Sequence, residues 1–331
     1  MIKILLAFLF GFLISVVAMP IIIKVFSRRK ATQTILGYVE EHKNKNGTLT
    51  MGGVVFIIST LLLGFVFLRY STPWFMCLLV SSFFGVLGFM DDFIKIKFKQ
   101  NLGLRAYQKI IGQFGIAIIF AVYVFLSSQG GQVYIPFINQ TINLGFWIIP
   151  IIVFILLATT NSVNLTDGLD GLAGKVSQIY LIFFVVIIGI LSKKLFNAGE
   201  TGEVLANIKS IQILSTIFIG SITAFLLFNT NKAKIFMGDV GSLCLGGFIG
   251  SSACLLGVEF IIPILGFCFV FSAISVILQV LYFKKTRKRI FKMAPFHHHL
   301  QMSGMSEPKV VELYATITTI LGVISLIFYI M

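Results

Sequence analysis

The chain has 331 residues, of which 57% are hydrophobic and only 11% are charged, and its formal net charge is +14. So few charged side chains cannot cover the surface of a water-soluble globule of this length, which excludes an ordinary soluble domain. The lysines and arginines stand in short clusters between long apolar runs rather than along one face, and this argues against a nucleic-acid-binding protein. The composition therefore predicts an integral membrane protein.

Ten apolar runs are long enough to cross a membrane as helices, each of which needs about 20 mostly apolar residues. In chain order they cover 3–26, 52–69, 73–90, 110–127, 144–160, 176–192, 211–228, 241–257, 260–283 and 311–330. The first run lacks a convincing small-residue cleavage site, so we interpret it as a retained span rather than a signal peptide. The sequence predicts an all-α fold with about ten transmembrane helices, formed as one domain over residues 1–331.

The distribution of lysine and arginine predicts how these spans are oriented. Ten spans place both termini on one side, and 20 of the 26 basic residues fall in the five loops on the other side. Because cytoplasmic loops are enriched in Lys and Arg, we expect both termini to face outward. The same inner loops hold all five aspartates and all four histidines, although neither residue type was used to orient the chain. We therefore predict an active site at the cytoplasmic face.

Two adjacent carboxylates, Asp91 and Asp92, end the third span in the sequence GFMDDFIKIKFK. The C-terminal end of a helix carries negative partial charge, so unpaired carboxylates are unfavourable there and should be compensated by a cation. The nearby Lys95, Lys97 and Lys99 are candidates, and so is a divalent metal ion bound through oxygen. The alternative is a solvated acidic pair that only marks the end of a helix.

Amide and carboxylate side chains recur every third residue in NSVNLTDGLDGLAGK, residues 161–175. A helical turn would place them on one face, and they are suited to reading a nucleotide base and sugar. They are Asn161, Asn164, Asp167 and Asp170. The segment is neither a Walker A loop nor an EF-hand. A capped, glycine-rich loop between two helices is the alternative.

The fifth aspartate, Asp239, lies between Gly238 and Gly241 at the start of the eighth span. Backbone amides at a helix N-terminus suit phosphate, and the carboxylate suits a metal ion. An ordinary Asp-Gly turn that caps the helix is the alternative. Three residues earlier, Phe236 could stack on a base or anchor the membrane interface.

Three consecutive histidines in MAPFHHHL, residues 293–300, follow the basic segment KKTRKRIFK, residues 284–292. Such a basic segment at the inner membrane surface could attract phosphates or anionic lipid headgroups. Neighbouring histidines cannot easily all bind one tetrahedral ion, so phosphate binding or proton transfer is favoured over a zinc site. An interfacial loop with histidines among the headgroups is the alternative.

Six short motifs occur in this order across nearly the whole chain. They are GTLTMGG (47–53), GFMDD (88–92), GLRAYQK (103–109), NLTDGLDGLAGK (164–175), FNTNKAKIFMGDVGSL (228–243) and MAPFHHHL (293–300). Together they closely resemble the phospho-N-acetylmuramoyl-pentapeptide transferases, a branch of the polyprenyl-phosphate N-acetylhexosamine-1-phosphate transferases. MAPFHHHL, followed by Glu307 and Pro308, resembles the peptidoglycan branch rather than the N-acetylglucosamine or teichoic-acid branches.

The resemblance implies a multi-pass enzyme of the bacterial cytoplasmic membrane. It would transfer phospho-MurNAc-pentapeptide from UDP-MurNAc-pentapeptide to undecaprenyl phosphate with Mg²⁺, giving lipid I and UMP. Its partners would be these two substrates and membrane lipids, with no nucleic acid, and the family suggests a homodimer. A related transferase that uses another UDP-sugar stays open. From another class, a lipid or solute transporter is the alternative, although transporters place ionisable groups near the bilayer midplane.

The resemblance also assigns catalytic roles. Asp239 corresponds to the metal ligand, and Asp91 and Asp92 correspond to the family's essential acidic pair, one of which would deprotonate the lipid phosphate or act as nucleophile. The lipid phosphate is already ionised at neutral pH, so we favour direct attack over a covalent aspartyl intermediate. The histidine motif corresponds to His297, His298 and His299.

Substrate-binding roles follow from the same motifs. The positions on the nucleoside side are Lys45, Thr50, Asn164, Asp167, Asp170 and Phe236, and Asn229 is a further substrate-binding position. The basic positions expected near phosphates are Lys95, Lys99 and Lys109. Two residues depart from the family pattern, since Leu49 and Lys232 stand where prolines are usual. Loss of a loop proline mainly loosens the backbone, so these departures concern local geometry and not the reaction.

Overall fold

The computed structural model of the chain describes residues 2–29, 31–32, 47–68, 72–98, 102–127, 131–135 and 140–330. In these residues the chain forms twelve α-helices and one two-stranded hairpin. The helices are α1 (Ile2–Arg28), α2 (Val54–Phe67), α3 (Thr72–Lys97), α4 (Ala106–Ser127), α5 (Ile148–Thr166), α6 (Leu172–Asn197), α7 (Glu203–Asn229), α8 (Gly238–Leu255), α9 (Ile261–Leu265), α10 (Phe267–Thr286), α11 (Phe296–Met302) and α12 (Glu307–Ile330). The strands are β1 (Gln132–Ile135) and β2 (Gln140–Asn143).

The predicted all-α membrane architecture is confirmed, and the number of spans is corrected. Among the described residues, nine helices are long and apolar enough to cross a membrane. The run predicted over 52–69 forms only the 14 residues of α2. A helix of that length is about 21 Å long, shorter than the hydrocarbon core of about 30 Å. It is short because the chain turns at Gly52 and Gly53 before it and becomes extended at Leu68.

The ninth predicted span, 260–283, is divided in two at Gly266. Pro263 lies in the preceding five-residue helix α9, and the backbone of Gly266 has non-helical dihedral angles. A Cβ atom at Gly266 would lie 2.6 Å from the carbonyl oxygen of Ile262, so the bend is too tight for any side chain. Hydrophobicity alone does not reveal such an interruption inside an apolar run.

The hairpin was not predicted. Its strands pair antiparallel, with Gln132 opposite Asn143 and Ile135 opposite Gln140. The alternation of polar and apolar residues is typical of strands, but four residues per strand give a weak signal between two long helices.

Helix α8 is the most buried of the spanning helices and packs against α3 and α5. Close approach depends on its glycines, because a Cβ atom at Gly246 would lie 2.5 Å from the Cα atom of Thr160 in α5. At this position, α8 and α5 therefore contact each other through backbone rather than through long side chains. This packing sets the positions of α3 and α5 relative to the first turn of α8.

The end of α3, the beginning of α4, the end of α5 and the beginning of α8 meet at one end of the bundle. Contacts between their side chains, described below, define this site end. Helix α12 begins there as well, because Glu307 contacts the loop after α5. Ile2 is the first residue of α1, and Ile330 is the last residue of α12.

Candidate functional site

Three carboxylates converge at the site end, and we refer to Asp91, Asp92 and Asp239 as the carboxylate cluster. Each can offer one oxygen atom so that the three atoms lie within 4.8 Å of one another. Asp91 and Asp92 are only 3% and 4% exposed, so they are not the solvated pair that the sequence left open. The gathering of these three aspartates at one place agrees with the sequence prediction.

Close contact between α3 and α8 brings the cluster together. A Cβ atom at Gly88 would lie 2.2 Å from the backbone oxygen of Asp239, so only glycine allows this distance. Gly238 has φ of +74°, and a Cβ atom there would lie 2.5 Å from Oδ2 of Asp92. Two glycines thus determine how near the carboxylates of α3 come to that of α8.

Two lysines neutralise most of this charge. Nζ of Lys95 lies 2.5 Å from Oδ2 of Asp91, 3.1 Å from Oδ2 of Asp239 and 3.7 Å from Oδ1 of Asp92. Nζ of Lys109, in the first turn of α4, donates to Oδ2 of Asp239 at 2.7 Å. The Coulomb attraction between these groups is stronger than between fully exposed groups, because water is largely excluded around them. Two of the three lysines predicted to lie near phosphates, Lys95 and Lys109, therefore lie beside the cluster.

Neutral donors fix the orientation of each carboxylate. The backbone N–H of Leu104 donates to Oδ1 of Asp91 at 2.9 Å, and that of Val240 donates to Oδ2 of Asp92 at 3.2 Å. Nδ2 of Asn164 donates to Oδ1 of Asp239 at 2.7 Å. The remaining oxygens face the lysines, so the cluster is organised before any substrate arrives.

The donor atoms of the cluster suit a hard divalent cation. Three carboxylates from two helices provide only oxygen ligands, which magnesium prefers over nitrogen or sulfur. The four cysteines of the chain are buried and form no disulfide, and Nε2 of His297 faces Gly168 in the loop after α5. The residues present therefore fit a magnesium site.

The loop at residues 167–171, between α5 and α6, lies beside the cluster. Burial raises the pKa of Asp167 to about 8, and the negative charges of Asp239 and Asp170 act in the same direction. Asp167 stands just beyond the end of α5. Because its pKa lies above 7, its carboxyl group is neutral at pH 7. A neutral carboxyl group can donate a hydrogen bond as well as accept one.

Asp170 and Asn229, both predicted to bind substrate, contact backbone in this structure. Oδ2 of Asp170 accepts from the backbone N–H of Ala233 at 3.0 Å. Oδ1 of Asn229 accepts from the N–H of Gly171 at 3.0 Å, and its Nδ2 donates to the carbonyl of Ile235 at 2.9 Å. In this structure both side chains shape the loop at residues 167–171.

The three histidines occupy two environments. His297 is fully buried and faces Gly168, where an added Cβ atom would lie 2.3 Å from its Nε2 and 3.0 Å from Nε2 of His298. His299 faces away, since its Nδ1 accepts the backbone N–H of Lys292 at 3.1 Å. Its ring also packs against Phe291 and Phe296. His297 and His298 thus lie against Gly168, the residue after Asp167, while His299 supports the preceding basic segment.

Residues 49–52 run beside the segment that leads into α8. The N–H of Phe236 donates to the carbonyl of Leu49 at 2.8 Å, and the N–H of Gly52 donates to the carbonyl of Phe236 at 2.9 Å. Thr50 is buried between these contacts. Thr50 and Phe236 are therefore joined to the base of α8. The predicted residues Lys45 and Lys99 lie outside the described part of the chain.

Several supporting residues were not predicted from the sequence. Ser242 accepts a second hydrogen bond from Nδ2 of Asn164, at 2.9 Å. Glu307 accepts one from the backbone of Asp170, and Gln113 pairs with Asn161 away from the cluster. Ser242 lies three residues after Asp239, on the same helical face, and this spacing was the one available signal. The other contacts join distant parts of the chain.

Comparison with known proteins gives a consistent result. The sequence profile of glycosyl transferase family 4 matches residues 74–257, the segment that contains the whole carboxylate cluster. A phospho-N-acetylmuramoyl-pentapeptide-transferase of Clostridioides difficile (strain 630) is 42% identical over 321 residues, which cover 96% of this chain and 95% of the relative.

Two further relatives are also phospho-N-acetylmuramoyl-pentapeptide-transferases. The protein of Clostridium novyi (strain NT) is 39% identical over 96% of this chain and 95% of its own length. That of Bacillus velezensis is 40% identical over 98% of this chain and 97% of its own length. The similarity therefore extends over the spans, the carboxylate cluster and the loop at residues 167–171.

Proposed function

Since this chain belongs to glycosyl transferase family 4 and to its phospho-N-acetylmuramoyl-pentapeptide transferases, we propose that it makes lipid I. It transfers phospho-MurNAc-pentapeptide from UDP-MurNAc-pentapeptide to undecaprenyl phosphate and releases UMP. The observation that carries the proposal is the carboxylate cluster, which contacts two lysines and lies beside an aspartate-bearing loop that two histidines adjoin. A reaction between two phosphate-bearing anions requires such a concentration of compensating charge.

Magnesium is the metal ion that we propose for the cluster. Asp239 would be a ligand, and Asp91 and Asp92 provide further carboxylate oxygens within reach. When bound, the ion supplies positive charge to the phosphate oxygens that become more negative as the bond to UMP breaks.

Lys95 and Lys109 would hold phosphate. Lys95 and Lys109 both contact Oδ2 of Asp239, so each ammonium group can turn from that carboxylate to a phosphate oxygen over a short distance. Neither lysine is fully buried, since their side chains are 26% and 18% exposed. They would orient the acceptor phosphate and the diphosphate of the donor against each other.

The bond changes need little acid or base strength. An oxygen of undecaprenyl phosphate attacks the phosphorus next to the sugar, and the bond from that phosphorus to the UMP oxygen breaks with its electron pair. The second pKa of a phosphate monoester is about 6, so the attacking oxygen is already ionised at neutral pH. The carboxylates of Asp91 and Asp92 are each held by a backbone N–H, which favours an orienting role over nucleophilic attack.

Asp167 and the adjacent histidines would contact the nucleotide. A neutral carboxyl group both donates and accepts, which matches the neighbouring carbonyl and N–H of a uracil ring. His297 and His298 stand on the other side of Gly168 and could bind a phosphate or move a proton. We further propose that this end of the bundle faces the cytoplasm, where UDP-linked sugars are made and where the basic loops belong.

The decisive experiment is a reconstitution. Purified protein in detergent or nanodiscs receives UDP-MurNAc-pentapeptide, undecaprenyl phosphate and Mg²⁺, and UMP and the lipid-linked product are measured. We expect both products in equal amounts and dependence on the metal ion. Absence of turnover by folded protein would contradict the proposal. Equal activity with UDP-N-acetylglucosamine would instead assign another branch of the family.

A further inference from the structure

Glu307 makes a contact that neither the motifs nor the reaction explain. It is the first residue of α12, and its Oε1 accepts the backbone N–H of Asp170 at 2.6 Å. The two residues are 137 positions apart in sequence. A carboxylate that accepts a backbone N–H forms one of the stronger hydrogen bonds found in proteins.

The contacted loop is held from several directions. Asn229 fixes the N–H of Gly171, and the side chain of Asp170 fixes the N–H of Ala233. Glu307 fixes the N–H of Asp170 itself, three residues after Asp167. The loop at residues 167–171 is therefore positioned by backbone contacts and leaves Asp167 close to the cluster.

The α11–α12 segment touches this loop at two points. His297 and His298 meet it at Gly168, and Glu307 meets it at Asp170. Glu307 thus ties the histidine-bearing segment to the aspartate-bearing loop, so that both keep one relative position.

A simpler explanation is that Glu307 stabilises the start of α12. Acidic residues are favoured in the first turn of a helix because of its dipole, an effect that needs no specific partner. Glu312, in the same helix, illustrates a generic surface charge, since its side chain is 67% exposed and it pairs with Lys175. Glu307 differs because its oxygen contacts a backbone donor of another helix connection.

We propose that Glu307 is a positioning residue for the nucleotide donor, acting through the backbone of Asp170 on the loop that carries Asp167. This inference rests on the proposed function for the identity of the donor. The contact itself is a hydrogen bond, so an uncharged acceptor of the same shape replaces it.

Steady-state kinetics of four proteins test this role: wild type, E307Q, E307A and E312A. We expect E307A to raise the KM for UDP-MurNAc-pentapeptide about tenfold, as loss of a charge-assisted hydrogen bond implies, with the KM for undecaprenyl phosphate unchanged. E307Q keeps an oxygen acceptor and should recover most of the affinity. E312A, the matched control, should behave as wild type.

Hydrogen exchange of the peptide over residues 167–172 supplies a readout that does not require turnover. E307A should lose protection there, while E312A should not. Equal exchange in E307A and E312A, an unchanged donor KM in E307A, or E307Q as impaired as E307A would each overturn the inference. Absence of turnover by the wild type would instead refute the proposed function, and the exchange data would still report on the contact.

Discussion

Aspartates occupy two neighbouring regions of the site end, and the two regions use the same side chain differently. In the carboxylate cluster, Asp239 faces the ammonium groups of Lys95 and Lys109. In the loop at residues 167–171, Asp167 is neutral at pH 7 and Asp170 holds backbone. The comparison shows that surroundings, and not residue type, separate a group that compensates charge from one that shapes a binding loop.

Removal of charge from the cluster should have the largest effect. We expect Asp239→Asn to lower turnover by about 10²–10³-fold, because an amide neither balances two ammonium groups nor binds a divalent cation well. UMP release measures the rate, and the unfolding temperature shows whether the variant is folded. Turnover near the wild-type rate would place the essential charge elsewhere and end the distinction between the two regions.

On the side of the loop, the histidines should differ from one another. His298→Ala should reduce turnover by about a hundredfold if its Nε2, next to Gly168, binds phosphate or moves a proton. His299→Ala is the matched control, and it should alter stability more than rate because that ring supports Lys292 and two phenylalanines. Equal losses in the two variants would show that the structural division of the motif has no functional counterpart.

The distance between α3 and α8 can be changed without altering any charge. Gly88→Ala should destabilise the protein by about 1–3 kcal/mol, because the new methyl group meets the backbone of Asp239. Gly115→Ala is the control, since a Cβ atom there has no neighbour within 4 Å. That control should be neutral or stabilising by about 0.5–1 kcal/mol. Thermal unfolding of both variants in the same detergent decides whether packing of the backbone sets the geometry of the cluster.

The protonation of Asp167 should make the stability of the protein depend on pH. Its pKa is about 8 in the folded chain against 3.8 for an ordinary aspartate, so the folded state binds one more proton between these values. The free energy of unfolding should therefore fall as pH rises from 5 to 8, by at most about 1.4 kcal/mol per pH unit. Asp167→Asn does not titrate and should lack this component. Parallel stability curves for the two proteins would show that Asp167 is already ionised in the folded protein at neutral pH.

The sequence predicted a membrane protein built of apolar helices, because hydrophobicity reports directly on the membrane. The cytoplasmic face of the site stays a prediction. The sequence also predicted that Asp91, Asp92 and Asp239 gather together. It did not predict the shortness of α2, the break at Gly266 or the hairpin. These depend on local backbone geometry, which an apolar run conceals.

Roles within the site were harder to predict for a different reason. A motif does not reveal that Asp170 and Asn229 contact backbone or that His299 faces away from its neighbours. Such contacts join residues that are far apart in sequence, and they exist only once the helices are packed. The assignments carried over from resemblance therefore stay predictions, and they do not separate binding residues from those that position them.

The close packing around α8 has a consequence for how this protein tolerates genetic change. Gly53, Gly88, Gly241 and Gly246 each stand where a Cβ atom would collide with a neighbouring helix or loop. In a library of random substitutions, these positions should tolerate as few changes as the aspartates, although glycine has no side chain to take part in the reaction. A map of lethal substitutions would therefore trace a line of glycines leading away from the active site, and intolerance at those positions would report on assembly rather than chemistry.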